Sequence, residues 1–248
     1  MRRYKLILEF DGRPFVGWQR QENGPSVQGA LEAAALAFCG VETTAHAAGR
    51  TDAGVHAIAM PAHLDLPGDH PAETVRDALN FYLRPQPIAI LAAEEAPRDF
   101  HARFSATARH YRYRIVNRRA PLALEEGRAW HIGGPLDAAA MNEAGHHLVG
   151  KHDFSTFRAA QCQSASPVKT LTSLRVQREK DVVSIDASAP SFLHHQVRSI
   201  AGTLVQIGLA RWRAADAKAA LDARDRSACG PVAPAHGLYF VKADYAKA

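Results

Sequence analysis

The stretch Gly49-Arg50-Thr51-Asp52-Ala53-Gly54-Val55-His56-Ala57 sets one carboxylate, Asp52, in a short loop between two apolar, strand-like runs. Glycines at 49 and 54 allow a sharp turn and a close backbone approach to a ligand. Arg50, two residues before the acid, can supply positive charge. A carboxylate presented from a rigid scaffold in this way can act as a nucleophile or as a general base. An aspartate between glycines is also a common turn residue, bonding its own backbone, so the loop alone leaves both readings open.

Other chemistries find less support. Cys39, Cys162 and Cys229 are odd in number and far apart, and no C-x-x-C pair occurs. Neither a disulfide framework nor a zinc site is expected, and a reducing cytoplasm fits. Among the 13 histidines, His146-His147 and His194-His195 are adjacent pairs and no H-E-x-x-H occurs, so no metal is expected. Neither a G-x-G-x-x-G nor a P-loop pattern is present. No run of about 18 apolar residues suggests a membrane span. The start, Met1-Arg2-Arg3-Tyr4, lacks the apolar block of a signal peptide.

The chain has 248 residues, 47% of them hydrophobic, enough for one large domain or two ordinary ones with a packed core. Net charge is +5 and the pI is near 9.3. The basicity is uneven. From Arg98 to Arg119 there are seven arginines (98, 103, 109, 112, 114, 118, 119) against the single acid Asp99, a local charge of +6. Such a run is either a phosphate-contacting stripe or a solvated face; arginine in place of lysine favours phosphate, which the guanidinium fork matches.

The elements that must position these residues follow from periodicity. Tyr4 to Phe10 alternates as a strand. Ser26 caps a helix with Val27, Ala30, Leu31, Ala34, Ala35 and Phe38 on its apolar positions, and Gly40 stops it. Strands are expected over 42–48 and 57–66, the latter an edge or bulge at Pro61. A helix burying Val75, Ala78, Leu79, Tyr82 and Leu83 and a strand over 88–93 complete the order β-α-β-β-α-β, the ferredoxin-like unit. The second half repeats the order. It has a strand over 110–117 and a helix capped by Asp137 with Met141, Ala144, Leu148 and Val149 inward. A hairpin of 168–177 with 182–187 follows, then a helix with Leu193, Val197, Ile200, Ala201, Leu204 and Gly208 on one face. A shorter helix over 214–223 and a strand over 238–245 close it. The expected fold is α+β: two ferredoxin-like halves with antiparallel sheets, 1–100 carrying the Asp52 loop and 108–248 carrying the second side of a basic cleft between them.

At this level the chain resembles the tRNA pseudouridine synthase A (TruA) family. The string from Gly49 to His56 is similar to that family's signature. Phe10-Asp11-Gly12 with Gly17-Trp18-Gln19-Arg20-Gln21, Asp99 to Ala106, and Tyr111-Arg112-Tyr113 resemble further blocks, as do Phe154-Ser155-Thr156-Phe157, Phe192 to Arg198, and Ala235-His236-Gly237-Leu238-Tyr239. The resemblance spans nearly the whole chain. The chain departs from the pattern at Met60-Pro61, at Leu83 to Pro87 and at Phe10.

The resemblance implies an isomerase that converts uridines 38, 39 and 40 of the tRNA anticodon stem-loop to pseudouridine, without cofactor, as a cytoplasmic homodimer. It carries the catalytic carboxylate onto Asp52, its ion-pair partner onto Arg198 rather than Arg50, the active-site tyrosine onto Tyr111 and an apolar pocket residue onto Leu238. Read from the residues alone, Tyr111 shares a strand face with Tyr113 and Ile115 and could equally be core. Two other classes stay open: an RNA-binding module or chaperone without catalysis, which has no need of Asp52, and a sugar hydrolase, which usually shows two cooperating carboxylates.

Overall fold

A computed structural model describes residues 1–246. Among them the chain forms an α+β structure of eleven strands and five α-helices, mostly antiparallel in its pairing. It divides into two compact units. The first is Met1–Arg109 with residues 240–246; the second is His110–Tyr239. No helix among the described residues is long and apolar enough to cross a membrane.

In the first unit, β1 (Arg2–Phe10) lies antiparallel between β3 (His56–Leu66) and β4 (Ile88–Ala96). Tyr4, Leu6 and Leu8 of β1 alternate inward, opposite Leu64, Ala62 and Met60, and all six are buried. The two-residue side-chain period puts that whole set in the core. Helix α1 (Val27–Cys39) buries Val27, Leu31, Ala34 and Ala35. Its ends are chemically set: Ser26 Oγ accepts the Gly29 N–H (3.1 Å), and Gly40 closes it at φ 70°. Helix α2 (Ala72–Tyr82) packs against α1 and β4 and buries Val75 and Leu79, with Leu83 just beyond. Truncating a wholly buried leucine such as Leu6 or Leu31 to alanine costs about 2–5 kcal/mol.

Three expectations for this half are corrected. The strand expected over 42–48 is only β2 (His46–Ala47), because side chains rather than a ladder hold what precedes it. Thr43 Oγ1 donates to the Asp65 carbonyl (2.8 Å), and Glu32 Oε1 accepts the Ala45 N–H (3.1 Å). Pro61 does not mark an edge. It pairs with Ile7 of β1, while β2 covers the other side of β3 and the Ala48 N–H meets the Pro61 carbonyl (2.8 Å). The pairing slips between Leu8 and Phe10, opposite Met60 and Ala57, so a bulge adds one residue to β3 there. Tyr82, expected inward, is exposed and meets Phe81 edge to face.

The second unit takes most of β5 (Ala106–Asn117), with β6 (Trp130–Ile132) parallel to it, a pairing that departs from wholly antiparallel sheets. Helix α3 (Ala138–His146) is capped by Asp137, whose Oδ1 accepts the N–H groups of Ala139 and Ala140, and buries Met141 and Ala144. The expected strand over 168–177 is two. β8 (Val168–Leu171) pairs with β7 (Gly150–Asp153), and β9 (Ser173–Glu179) pairs with β10 (Val182–Ala189). Thr172, between them, donates its N–H to the Ser188 carbonyl (2.8 Å). Helix α4 (Gln196–Gly208) starts three residues after Leu193, since His195 takes a left-handed φ of 64° and the Gln196 side chain accepts the Leu193 N–H. Its face of Val197, Ile200, Ala201 and Leu204 is buried, and α3 packs on it. Helix α5 (Ala214–Ala223) and β11 (Leu238–Tyr245) complete the chain, and β11 gives its residues from Phe240 to the first unit.

Candidate active site

The Asp52 loop runs from β2 to β3 in the first unit. The Val55 N–H donates to the Asp52 carbonyl (3.1 Å), closing a four-residue turn whose third residue, Gly54, has φ 77°. Glycine adopts that region without steric cost. Gly49, expected to share this role, is not left-handed. Asp52 is half-buried, Thr51 is buried and Arg50 is exposed.

The segment after β1 clamps this loop through backbone. Gly17 forms a lone antiparallel bridge with Asp52, and the Trp18 N–H donates to the Thr51 carbonyl (3.1 Å). The approach is too close for side chains. A methyl on Gly17 would lie 2.4 Å from the Thr51 carbonyl oxygen, and one on Gly12 2.0 Å from that of Val55. The Gly12 N–H donates to Nδ1 of the buried His56 (3.1 Å). The Asp11 carboxylate stands 3.3 Å from the same nitrogen. Burial pushes the Asp11 carboxyl up, but the Arg13 side chain and backbone N–H outweigh it, with His56 assisting, and hold it below the ordinary carboxylate range. Phe10 and Trp18 are buried with ring centroids 6.4 Å apart. Sequence reasoning gave Asp11, Gly12, Gly17, Trp18 and His56 no role. The signal for one was the pair of glycines, each of which faces a carbonyl of the acid-bearing loop.

Tyr111, Arg198 and Leu238 belong to the second unit. Tyr111 lies on β5 with Tyr113 and Ile115, which are wholly buried, but is itself only half-buried. Its ring meets Phe192 edge to face at 5.1 Å. The strand face is therefore core at 113 and 115 and reaches the margin of the core at 111. Tyr113 donates its hydroxyl to the Pro234 carbonyl (2.8 Å). Burial raises its pKa and Arg198 offsets part of that. A methyl on Gly237 would lie 2.6 Å from the Tyr113 ring, which accounts for the glycine in the Ala235 to Tyr239 motif.

Arg198, on α4, is half-buried, and its Nε donates to the Ala233 carbonyl (2.9 Å). The Ala233 N–H returns a bond to the Arg198 carbonyl (3.1 Å). Gly202 lets this loop lie on the helix, since a methyl there would overlap the Pro231 carbonyl oxygen at 1.6 Å. Leu238 opens β11 and is buried.

The arginine run is less available than its count suggests. Arg112 pairs with Asp186 (2.7 Å), Arg114 with Glu125 (3.0 Å) and Arg118 with Asp181 (3.2 Å). Arg109 donates to the backbone carbonyls of Arg103, Ala106 (2.9 Å) and Ala48 (3.2 Å). Arg98 donates to the Met1 carbonyl (2.9 Å). Arg103 and Arg119 are exposed. The acids that meet 112, 114 and 118 lie outside the run, where a count along the chain does not see them.

Comparison with known proteins bears on the whole chain. A family model described as tRNA pseudouridine synthase matches residues 6–105 and 144–246. A tRNA pseudouridine synthase A from Afipia carboxidovorans is 60% identical over 245 residues, covering 99% of this chain and all of that protein. The Rhodospirillum rubrum protein of that name is 58% identical over 98% of this chain and 87% of its own length. The Maricaulis maris protein of that name is 55% identical over 99% and 98%.

Proposed function

Because the chain belongs to the tRNA pseudouridine synthase family, we propose that it isomerises uridine to pseudouridine in tRNA, at positions 38, 39 and 40 of the anticodon stem-loop, with Asp52 as the catalytic carboxylate. The bond from ribose C1′ to uracil N1 breaks, the base turns, and C1′ joins C5. A proton leaves C5 and one arrives at N1, so the change is redox-neutral and needs no cofactor. The observation that carries the reading is the backbone clamp on the Asp52 loop, which holds a half-buried acid in place through main-chain bonds.

The target base must leave its stack to be reached. In this reading Tyr111 stacks on the extruded uracil, Leu238 gives the pocket an apolar wall, and Arg198 is the cation beside Asp52, with Arg50 as a further cation at the loop. The reading requires that the Asp52 loop of the first unit and the Tyr111 strand of the second serve one nucleotide across a basic cleft. It keeps two ferredoxin-like halves, 1–100 and 108–248, and a homodimer sharing tRNA. The order β1-α1-β2-β3-α2-β4 supports it for the first half. Neighbouring positions read without a fixed sequence imply recognition by shape and backbone.

The test is to incubate the purified protein with transcribed tRNA carrying uridine at 38–40 and to map the product by position. Pseudouridine at those sites is expected. Free uracil without isomer would overturn the reading in favour of a hydrolase.

A further inference from the structure

We propose that the loop from His101 to Ser105 presents Phe104 as a stacking platform for an unpaired nucleobase of the RNA outside the uridine pocket, with Arg103 on the adjoining phosphate. The inference rests on the RNA-substrate reading above and adds a recognition element to it.

Phe104 is 74% exposed, the largest exposure of any aromatic ring among the described large hydrophobic residues. Its ring is not alone. The His101 ring lies 4.4 Å away at 38°, and the Arg103 guanidinium is 5.5 Å from the Phe104 centroid. The loop that carries it is held rigid. The His101 N–H donates to Ser105 Oγ (2.9 Å), and the Ser105 N–H returns to the His101 carbonyl (2.8 Å). His101 Nδ1 accepts the Arg103 N–H (3.1 Å) and faces that of Phe104 (3.4 Å). Ala102 is buried and donates its N–H to Nδ1 of His63 (3.1 Å). Arg109 grips the Arg103 carbonyl and also the carbonyl of Ala48, the residue before the Asp52 loop begins.

A fixed, exposed aromatic ring with a guanidinium beside it offers stacking to any base and charge to its phosphate. The exposed Arg103 guanidinium beside the ring favours a polyanion over a protein partner, since its fork of donors matches phosphate oxygens. A ring presented this way costs little ordering on binding, since its backbone is already pinned.

The test measures affinity for a transcribed tRNA at fixed salt with wild type, Phe104→Ala, Phe104→Trp, Arg103→Ala and, as a control at another exposed ring, Phe81→Ala. Phe104→Ala should weaken binding about tenfold and raise KM in the pseudouridine assay. Phe104→Trp should bind as wild type. Arg103→Ala should weaken binding and reduce the salt slope by about one. Melting temperatures should not move, as the ring is outside the core. Wild-type affinity in Phe104→Ala, or a loss matched by Phe81→Ala, would overturn the proposal. So would a Phe104→Ala protein that changes oligomeric state with unchanged tRNA affinity, which would mark a protein interface. Binding that depends on Phe104 in a protein that makes no pseudouridine would support the platform while sinking the catalytic reading.

Discussion

Gly17 faces Asp52 across a single antiparallel bridge, at φ 117°, with room for a hydrogen but not for a methyl group. Backbone of the segment after β1 therefore holds the acid-bearing loop. Gly17→Ala should destabilise the protein by about 1–3 kcal/mol through strain at that position. It should also lower kcat more than tRNA affinity, because the loop must shift away from the new methyl. Urea unfolding with single-turnover kinetics reads both effects; wild-type values in each would remove the clamp from the account.

His63 gives a pH dependence with a definite sign. It is buried against His46 (centroids 5.0 Å) and His101 (4.6 Å), near Arg3 and Asp65. Burial first, then Arg3, His101 and His46, push its pKa from 6.5 to about 4, with Asp65 pulling the other way. The unfolded chain takes up the proton near 6.5 and the folded one only near 4. The stability this group contributes is thus present above pH 6.5 and lost as pH falls toward 4, amounting to about 3 kcal/mol at most. His63→Asn, which keeps an acceptor for the Ala102 N–H, should flatten that slope in urea titrations over the same window. An unchanged slope would contradict the assignment.

Arg109 illustrates how position in a basic run misleads. Its guanidinium binds three backbone carbonyls, so Arg109→Ala should cost about 2 kcal/mol or more of stability and leave the salt dependence of tRNA binding unchanged. Salt titrations alongside thermal unfolding distinguish this from a phosphate contact, which would lower the slope at little cost in stability.

What the sequence made legible is local. Ser26 and Gly40 bound α1 because a hydroxyl cap and a left-handed stop act within a few residues of the helix they end. The limits of α5 and β11 were readable from periodicity in the same way. β6 and β7, of three and four residues, are too short to carry a period. The acids that neutralise Arg112, Arg114 and Arg118 sit outside the run, and Gly12 and Gly17 meet the Asp52 loop about 35 to 45 residues away in sequence, distances no pattern of neighbours encodes. The turn at Asp52 was readable from Gly54; the clamp that fixes it was not.

Tyr111 sits where the buried face of β5 gives out, its ring against Phe192. If it stacks on uracil, Tyr111→Phe should retain most binding, whereas Tyr111→Ala should lower kcat/KM by about tenfold or more. Steady-state kinetics on a tRNA transcript decide the matter: equal activity in both variants and wild type would take Tyr111 out of the site.

The most direct measurement is pseudouridine formation by Asp52→Asn, a substitution that keeps side-chain shape and leaves the backbone bridge to Gly17 intact. The account predicts a loss of at least about a thousandfold in rate with tRNA affinity within about threefold of wild type. Product formed by that variant at the wild-type rate would contradict it.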